Sequence, residues 1–325
     1  MTAATATFDS GTRRWQARGR WADRVFAAAA LAAGLLVLVI LGLIAYTTIT
    51  KAMPAFRQQG PSFVTSKNWD PDNGHLGAFA YIFGTLVTSA IAIVLAVPVS
   101  FGIALFITEL ASRRVRTLVT YVVDLLAAIP SVVYGFWALI ILTGSARTFY
   151  QRIADTIGSV PLLGRLFGGP ASGASFMTAG VILAVMIVPI VTSLSREAFL
   201  TVPQEDKNAA LAMGATRWEM LRVSVFPRVR SGLVGAVMLG LGRAMGETIA
   251  VALVIGSSAQ VTSHLFKTGD SVASNIAHNW GESTGISRSA LIGLGVVLFG
   301  ITIVVNIVAR VITRRTARSL GEVIR

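Results

Sequence analysis

Long apolar runs separated by polar segments dominate the pattern along this chain. Six runs are long enough to cross a bilayer as helices, which takes about 20 residues each. They cover residues 26–46, 79–107, 118–142, 176–194, 229–256 and 290–312. The pattern predicts an all-α, polytopic membrane protein with six transmembrane helices. Three spans contain a proline, at Pro98, Pro130 and Pro189, where we expect kinks because neighbouring groups can satisfy the freed carbonyls.

Composition supports lipid-facing surface and excludes several kinds of chemistry. Of the 325 residues, 54% are hydrophobic and only 13% are charged, which favours apolar surface over one oversized core. The absence of cysteine excludes disulfides, thiolate catalysis and cysteine-ligated metals, and the three histidines share no metal-binding spacing. No G-x-x-x-x-G-K-[S/T] phosphate loop occurs, so we do not expect this chain to hydrolyse ATP itself or to hold a metal or other cofactor.

The net charge of +13 has two interpretations, nucleic-acid binding or membrane orientation, and the placement of the charges favours the second. Of the 28 Lys and Arg residues, 19 lie on one side of the predicted spans and eight on the other. The positive-inside rule then puts both termini and the segment 195–228 in the cytoplasm. We predict a basic cytoplasmic segment at 1–25, a permease domain at 26–312 and a basic cytoplasmic tail at 313–325. The first span, although it follows five arginines, is too long for a usual signal peptide.

The predicted cytoplasmic segment 195–228 reads as two short helices that meet at a corner. A stretch of small and apolar residues meets Gly214, which suits the left-handed turn just past a helix end. Thr216 with Glu219 three residues later is a capping box, and Pro227 is expected to delimit the next span. The small and apolar residues before the turn are Ala209, Ala210, Ala212 and Met213. Such a corner suits docking on a cytoplasmic partner, and a folded loop without a partner remains the alternative.

The fifth span contains two ionisable residues, Arg243 and Glu247, four positions apart. Arg243 lies 14 residues beyond Val229, about 21 Å by helical rise, which places it near mid-bilayer. A central Arg costs about 2.5–3.5 kcal/mol on insertion scales, so it should face protein or water and have a partner. Two interpretations stay open: a salt bridge with Glu247 on the same helix face, or an Arg offered to an anion in a translocation path, with Glu247 neutralising it when the path is empty.

Two motifs resemble those of known permeases. Asn208-Ala209-Ala210, with Gly214 and Pro227, resembles the E-A-A…G…L-P loop of ABC importer permeases, although Asn208 replaces the usual Glu and Phe226 the usual Leu. Glu205 and Asp206 lie just upstream as alternative acidic positions. The run 242–251, G-R-A-M-G-E-T-I-A-V, resembles the signature of permeases of the phosphate-specific transport (Pst) system, as does 129–135, I-P-S-V-V-Y-G. The basic N-terminus, the early first span and the segment 143–175 resemble the PstC type.

The resemblance, which covers most of residues 75–312, implies a type I ABC importer permease of the MetI-like fold. It implies a heterodimer with a PstA-like permease, two copies of a PstB-like subunit that binds ATP and Mg, a PstS-like external phosphate-binding protein, and the cytoplasmic membrane of a bacterium or archaeon. The implied substrate is inorganic phosphate, moved by alternating access. Arg243 and Glu247 would belong to the translocation path. The ATPase-coupling loop would contain Glu205, Asp206, Asn208, Ala209, Ala210, Gly214 and Pro227.

Other classes remain as alternatives at this stage. An ion-coupled secondary transporter would need no separate ATPase, but typically shows inverted repeats, and no convincing repeat joins the two halves of the chain. An ABC permease for a different solute would share every motif of the loop. A membrane-embedded enzyme should show a nucleophile with a base or clustered carboxylates, which the sequence lacks. A purely structural subunit would leave the burial of Arg243 without a function.

Overall fold

The computed structural model describes residues 11–71, 73–161 and 163–321. Parts of the predicted basic segments 1–25 and 313–325, at 1–10 and 322–325, lie outside the described residues. Its helices are α1 (Gly11–Gln59), α2 (Ser62–Thr65), α3 (Phe79–Leu105), α4 (Arg113–Ala128), α5 (Ser131–Trp137), α6 (Thr143–Ile157), α7 (Leu163–Phe167), α8 (Phe176–Leu200), α9 (Gln204–Ala212), α10 (Arg217–Met220), α11 (Phe226–Gly246), α12 (Ile249–Ile255), α13 (Val272–Asn279) and α14 (Gly285–Gly321). Short π-helical turns follow α3, α5 and α10, at Phe106–Leu110, Ala138–Leu142 and Leu221–Val225. Two short strands, β1 (Trp69–Asp70) and β2 (His75–Leu76), pair antiparallel.

The predicted class, an all-α protein with six membrane-length helices, is confirmed. Large apolar side chains lie on the outside, and on α1 Phe26, Leu31 and Leu38 are 76%, 66% and 65% exposed. The apolar excess in the composition is therefore surface, as expected for helices in lipid. The chain forms two compact units, one ending at Lys51 and one beginning at Ala52. The proposed boundaries at 25/26 and 312/313 stay a prediction.

Helix α8 is the most deeply buried of the membrane-length helices and organises the core of the second unit. Its side chains Phe176, Ile182 and Ile187 are almost fully buried in one cluster with residues of α3 and α12. The helix begins at Ser175, whose hydroxyl accepts a hydrogen bond from the Thr178 N–H at 3.3 Å. This cap satisfies one of the first N–H groups, which have no partner within the helix. A helix that is apolar around most of its surface can be packed against other helices on all sides.

Two of the predicted spans are broken rather than kinked. The predicted span 118–142 is interrupted at Ile129 and Pro130, where the backbone is extended with ψ of 127° and 140°. Proline explains this break, because it lacks an N–H and disfavours helical backbone in the residue before it. The predicted span 229–256 is interrupted at Glu247, where ψ is 128°. The short helices after the two breaks, α5 and α12, pack on each other.

The break at Pro130 also shifts the third membrane-length helix. It runs from Ser131 to Ile157, through α5, a π-helical turn and α6, rather than over 118–142. The segment 143–175, which follows the predicted third span, therefore begins as the continuation of a long helix. The shift escaped the hydropathy pattern because α4 is apolar on one face and merges in sequence with the apolar run of α5.

Close packing in the core makes Gly84 of α3 a sensitive position. A Cβ at Gly84 would fall on the carbonyl oxygen of Asp270, a backbone atom that cannot rotate away. Gly84→Ala is therefore expected to lower the yield of folded protein and its melting temperature after detergent extraction, measured by thermal denaturation. Gly102→Ala on the same helix is the matched control, because its Cβ would meet no atom within 4 Å and alanine favours a helix over glycine. Equal melting temperatures of the two variants would contradict the packing described.

Candidate functional sites: a helix corner and an intramembrane cleft

The corner between α9 and α10 has the geometry expected from its sequence. Helix α9 ends at Ala212, and Gly214 follows in the left-handed region with φ of +87°. Thr216 Oγ1 accepts the Glu219 N–H at 3.3 Å, while the Glu219 carboxylate accepts the Thr216 N–H at 2.8 Å. The predicted capping box and the turn at Gly214 are thus confirmed, and both are local features that a sequence can specify.

The corner presents apolar side chains to its surroundings. Met213 is 87% and Trp218 is 62% exposed, and Leu211 and Val223 are exposed beside them. Asn208 and Ala209 are exposed as well, whereas Ala210 is half-buried against the core beneath. Exposed Met and Trp together in a short segment are typical of a surface that another protein covers. The corner therefore presents an exposed apolar face of the kind that suits docking.

A buried ion pair attaches α9 to the π-helical turn that ends α3. Lys207 Nζ lies 2.5 Å from Glu109 Oε1, and the two side chains are only 8% and 13% exposed. Neither residue was singled out by sequence reasoning, and no signal could have found them, because 98 positions separate them. Removing one partner of such a pair leaves the other charge buried without compensation. The pair therefore keeps α9 attached to the end of α3.

A second ion pair links α9 to the start of α11. Arg228 lies 2.8 Å from a carboxylate oxygen of Asp206, although the two groups are not aligned as a hydrogen bond. Ser224 donates a hydrogen bond to the carbonyl of Asp206 at 3.1 Å. Of the two acidic positions proposed upstream of Asn208, Asp206 is thus turned to the chain's own helices. Glu205 is exposed and remains available to a partner.

Pro227 does not delimit the fifth span as predicted. Helical backbone runs from Arg217 to Gly246, and Pro227 stands in the first turn of α11 after the π-helical turn Leu221–Val225. Proline is compatible with a helix there, because the first N–H groups need no partner within the helix. The π-helical turn Leu221–Val225 before it accommodates the absence of a backbone N–H group on Pro227.

The backbone at Gly214 gives a direct test of the corner. A Cβ there meets no atom within 4 Å, so any effect of a substitution arises from the positive φ alone. Gly214→Val is expected to distort the corner, because a β-branched residue costs about 1–2 kcal/mol in this region. In the transporter that the resemblance implies, phosphate uptake should fall severalfold while ATP hydrolysis by the assembled complex continues. Gly214→Asn, which tolerates positive φ better, should give a smaller loss. Unchanged coupling in both variants would count against a role of the corner in transport.

Arg243 and Glu247 do not share a helix face, contrary to expectation. Helix α11 ends at Gly246, and the extended backbone at Glu247 turns its carboxylate to α12, where it accepts the Ala250 N–H at 3.4 Å. Among the described side chains, no carboxylate lies within 4.0 Å of Arg243. The salt bridge, one of the two interpretations, is therefore not formed, because a break in the helix separates two residues that the sequence places one turn apart. Their roles in a translocation path stay a prediction.

Arg243 instead opens into a cleft between α11 and α14. The cleft has a volume of about 700 Å³, and small residues of α11, including Ser231, Gly235 and Gly242, line one wall. Asn306 and Arg310, one turn apart on α14, line the other. Two arginines and one asparagine therefore line the same cleft, and no described carboxylate lines it. Such a site favours anions with several oxygens, to which guanidinium groups donate paired hydrogen bonds.

Sequence reasoning missed Asn306 and Arg310 as members of this site. The available signal was Asn306, a single amide in the apolar run of the last span. A polar side chain at that depth usually faces a helix neighbour or a water-filled path. Arg310 was counted only as a charge near the end of that span, because only the packing of α14 shows which helix it faces.

These features define a class: a multi-pass membrane permease with a helix corner exposed for docking and a cationic cleft among its spans. Residues 96–318 match the family model described as the binding-protein-dependent transport system inner membrane component. The chain is 43% identical to the phosphate transport system permease protein PstC of Xylella fastidiosa over 302 residues, which cover 93% of each chain. It is 39% identical to the protein of that name from Haemophilus influenzae over 303 residues, covering 93% of this chain and 96% of that one.

Among solved structures, the fold is similar to a bacterial alginate ABC transporter in complex with an alginate pentasaccharide-bound periplasmic protein. The TM-score is 0.61 at 17% identity, covering 91% of this chain and 97% of that one. At this identity the likeness concerns the fold alone. The chain belongs to the family of binding-protein-dependent transport system inner membrane components. It is thus a permease of the ABC importer type, and the predicted MetI-like class is confirmed.

Proposed function

We propose that this chain is the membrane permease subunit that carries inorganic phosphate into the cell, in a PstC-like role. The observation that carries the proposal is the cleft at Arg243, which Arg310 and Asn306 also line and which no described carboxylate lines. Phosphate has four oxygens that accept from such donors. Near full-length relatives named as phosphate transport permeases support the same substrate.

The helix corner supports the proposed source of energy. We propose that a PstB-like ATPase dimer, which holds the ATP and Mg, docks on the exposed Met213 and Trp218. Movement of the corner then passes through the Lys207–Glu109 pair to α3 and through the Asp206–Arg228 pair to α11. Because α11 carries Arg243, closure of the ATPase dimer can shift the cleft between two accessible states. In this scheme the chain itself performs no catalysis and binds no cofactor.

The remaining partners and the orientation follow from the same scheme. A PstA-like permease completes the path as the second half of a heterodimer, and a PstS-like external protein delivers phosphate. The distribution of Lys and Arg supports a cytoplasmic position of both termini and of the helix corner. The membrane is then the cytoplasmic membrane of a bacterium or archaeon.

Uptake of radiolabelled phosphate at low external concentration tests the proposal. Cells lacking this chain and other phosphate systems should lose uptake, and a plasmid copy should restore it. Restored uptake should need ATP and should persist when the ion gradient is collapsed. Uptake that is unchanged by the deletion would reject phosphate as the substrate, and uptake that fails with the gradient would reject the ATP-driven mechanism.

A further inference from the structure

A small polar pocket lies where the π-helical turn Phe106–Leu110, the helix α4 and the end of α8 meet. Its volume is about 160 Å³, and Arg116, Thr120 and Arg196 line it, so we call it the arginine pocket. It is larger than the share of about 30 Å³ that one water takes up in the liquid. The distribution of Lys and Arg supports a position on the cytoplasmic side of the spans.

Arg196 is held in the wall of the arginine pocket by two of its three side-chain nitrogens. Nη1 donates to Thr120 Oγ1 at 3.3 Å, which joins α8 to α4, and Nη2 pairs with Glu197 at 2.8 Å. Nε is buried and has no hydrogen-bond partner among the described residues. Because buried donors are nearly always paired, the guanidinium is fixed in place while one of its donors is unsatisfied.

Arg116 supplies a second positive charge from the other wall. Its Nη2 donates to the carbonyl oxygen of Thr108 at 3.1 Å, and no described carboxylate lies within 4.0 Å of it. Among the described residues that line the pocket only Glu197 is acidic, and it is already paired with Arg196. The arginine pocket therefore has a net positive charge.

The electrostatics of α4 act in the same direction. This helix of 16 residues has no acidic residue in its first turn, and Ser112 makes no side-chain hydrogen bond that would cap it. A helix N-terminus carries a partial positive charge, so an arginine in the first turn adds like charge to like. Membrane orientation requires only that arginines lie on the cytoplasmic side, and it does not require arginines of two helices to line one pocket.

We propose that the arginine pocket binds a phosphate group. Its source is either inorganic phosphate in the cytoplasm or the phosphodiester of an anionic phospholipid headgroup. Both present negatively charged oxygens that accept hydrogen bonds from guanidinium groups, and basic pockets between membrane helices on the cytoplasmic side suit anionic headgroups. The site is separate from the cleft at Arg243, and it goes beyond the proposed function because it does not require that the chain transports phosphate.

A phosphate group in the pocket would join the segments that hold the helix corner. Arg116 contacts the carbonyl of Thr108, the residue before Glu109, and Glu109 pairs with Lys207 of α9. A ligand shared by Arg116 and Arg196 would therefore tie the end of α3 to α4 and α8. We expect it to stabilise the folded complex, because a ligand that binds only the folded state raises its stability.

The test measures the melting temperature of the purified transporter complex without the external binding protein. Inorganic phosphate and a short-chain phosphatidylglycerol are titrated separately in a detergent that contains no phosphate, with short-chain phosphatidylcholine as the zwitterionic control. At least one of the first two probes should raise the melting temperature. The midpoint concentration should rise at least tenfold in Arg116→Gln and in Arg196→Gln. Repeating the phosphate titration in Arg243→Gln separates the pocket from the cleft.

Arg113→Gln is the matched control. Arg113 lies in the same turn of α4 and is exposed, but it does not line the pocket. Its loss removes the same charge from the same region, so the midpoint should change less than twofold. If Arg196→Gln fails to assemble, Arg116→Gln decides the question, because Arg116 is exposed and its removal leaves no buried charge.

The two probes distinguish the sources of the phosphate group. A response to inorganic phosphate alone identifies the free anion, and a response to phosphatidylglycerol alone identifies the lipid headgroup. No response to either probe, an equal response to phosphatidylcholine, or equal midpoints in Arg116→Gln and Arg113→Gln would overturn the proposal. Failure of the proposed function is seen separately, as uptake of radiolabelled phosphate that does not change when the chain is deleted.

Discussion

Glu109→Gln is expected to separate ATP hydrolysis from phosphate uptake. The substitution leaves Lys207 buried beside a neutral amide, and removing one partner of a buried ion pair costs about 3–5 kcal/mol. Because this pair joins α9 to the end of α3, its loss should release the helix corner from the membrane helices. Uptake into proteoliposomes should fall at least tenfold while ATP hydrolysis by the assembled complex continues, and the melting temperature of the purified complex should fall.

Two further variants make this expectation specific. Exchanging the charges, as Glu109→Lys with Lys207→Glu, should recover a substantial part of the uptake, because the attraction is restored in the reverse direction. Glu197→Gln is the matched control, since the Glu197 side chain is 61% exposed in its pair with Arg196, whose side chain is 22% exposed. Such a surface pair contributes about 0–1 kcal/mol. Equal losses in Glu109→Gln and Glu197→Gln, or no recovery after the exchange, would argue that the pair does not transmit movement.

Arg243→Gln is expected to abolish phosphate uptake, with a loss of at least 100-fold, while the protein still inserts and assembles. Glutamine keeps hydrogen-bonding groups but removes the charge that an anion needs in a site of low dielectric constant. Insertion should not suffer, because a neutral side chain is easier to place in the membrane than a charged one. Arg243→Lys should retain partial uptake, since lysine keeps the charge but loses the paired donors of guanidinium.

Arg152→Gln on α6 is the matched control for the same change of residue type at an exposed position. Its uptake should equal that of the wild type. Normal uptake by Arg243→Gln would remove Arg243 from the translocation path. If Arg243→Gln instead fails to accumulate in the membrane, the residue has a structural role, which immunoblotting of membrane fractions would reveal.

Local features were predicted well from the sequence. The left-handed turn at Gly214 and the capping box of Thr216 and Glu219 are formed as expected, because each depends on residues within one or two helical turns. Six membrane-length helices were also predicted correctly. A sufficiently long apolar run can cross lipid as a helix, because the helix pairs its own backbone N–H and C=O groups. The third and fifth helices were misplaced along the chain, since they run over Ser131–Ile157 and Arg217–Gly246.

The sequence alone thus determined the class of this protein, its number of spans and its helix corner, because hydrophobicity and capping act over short distances. Tertiary structure decided the break at Glu247, the pairing of Lys207 with Glu109, and the presence of Arg243 and Arg310 in one cleft. Each depends on contacts between segments far apart in the chain. A charged side chain in a membrane protein faces the neighbouring helix or cavity that stabilises its charge. The spacing of residues along one helix does not identify that neighbour.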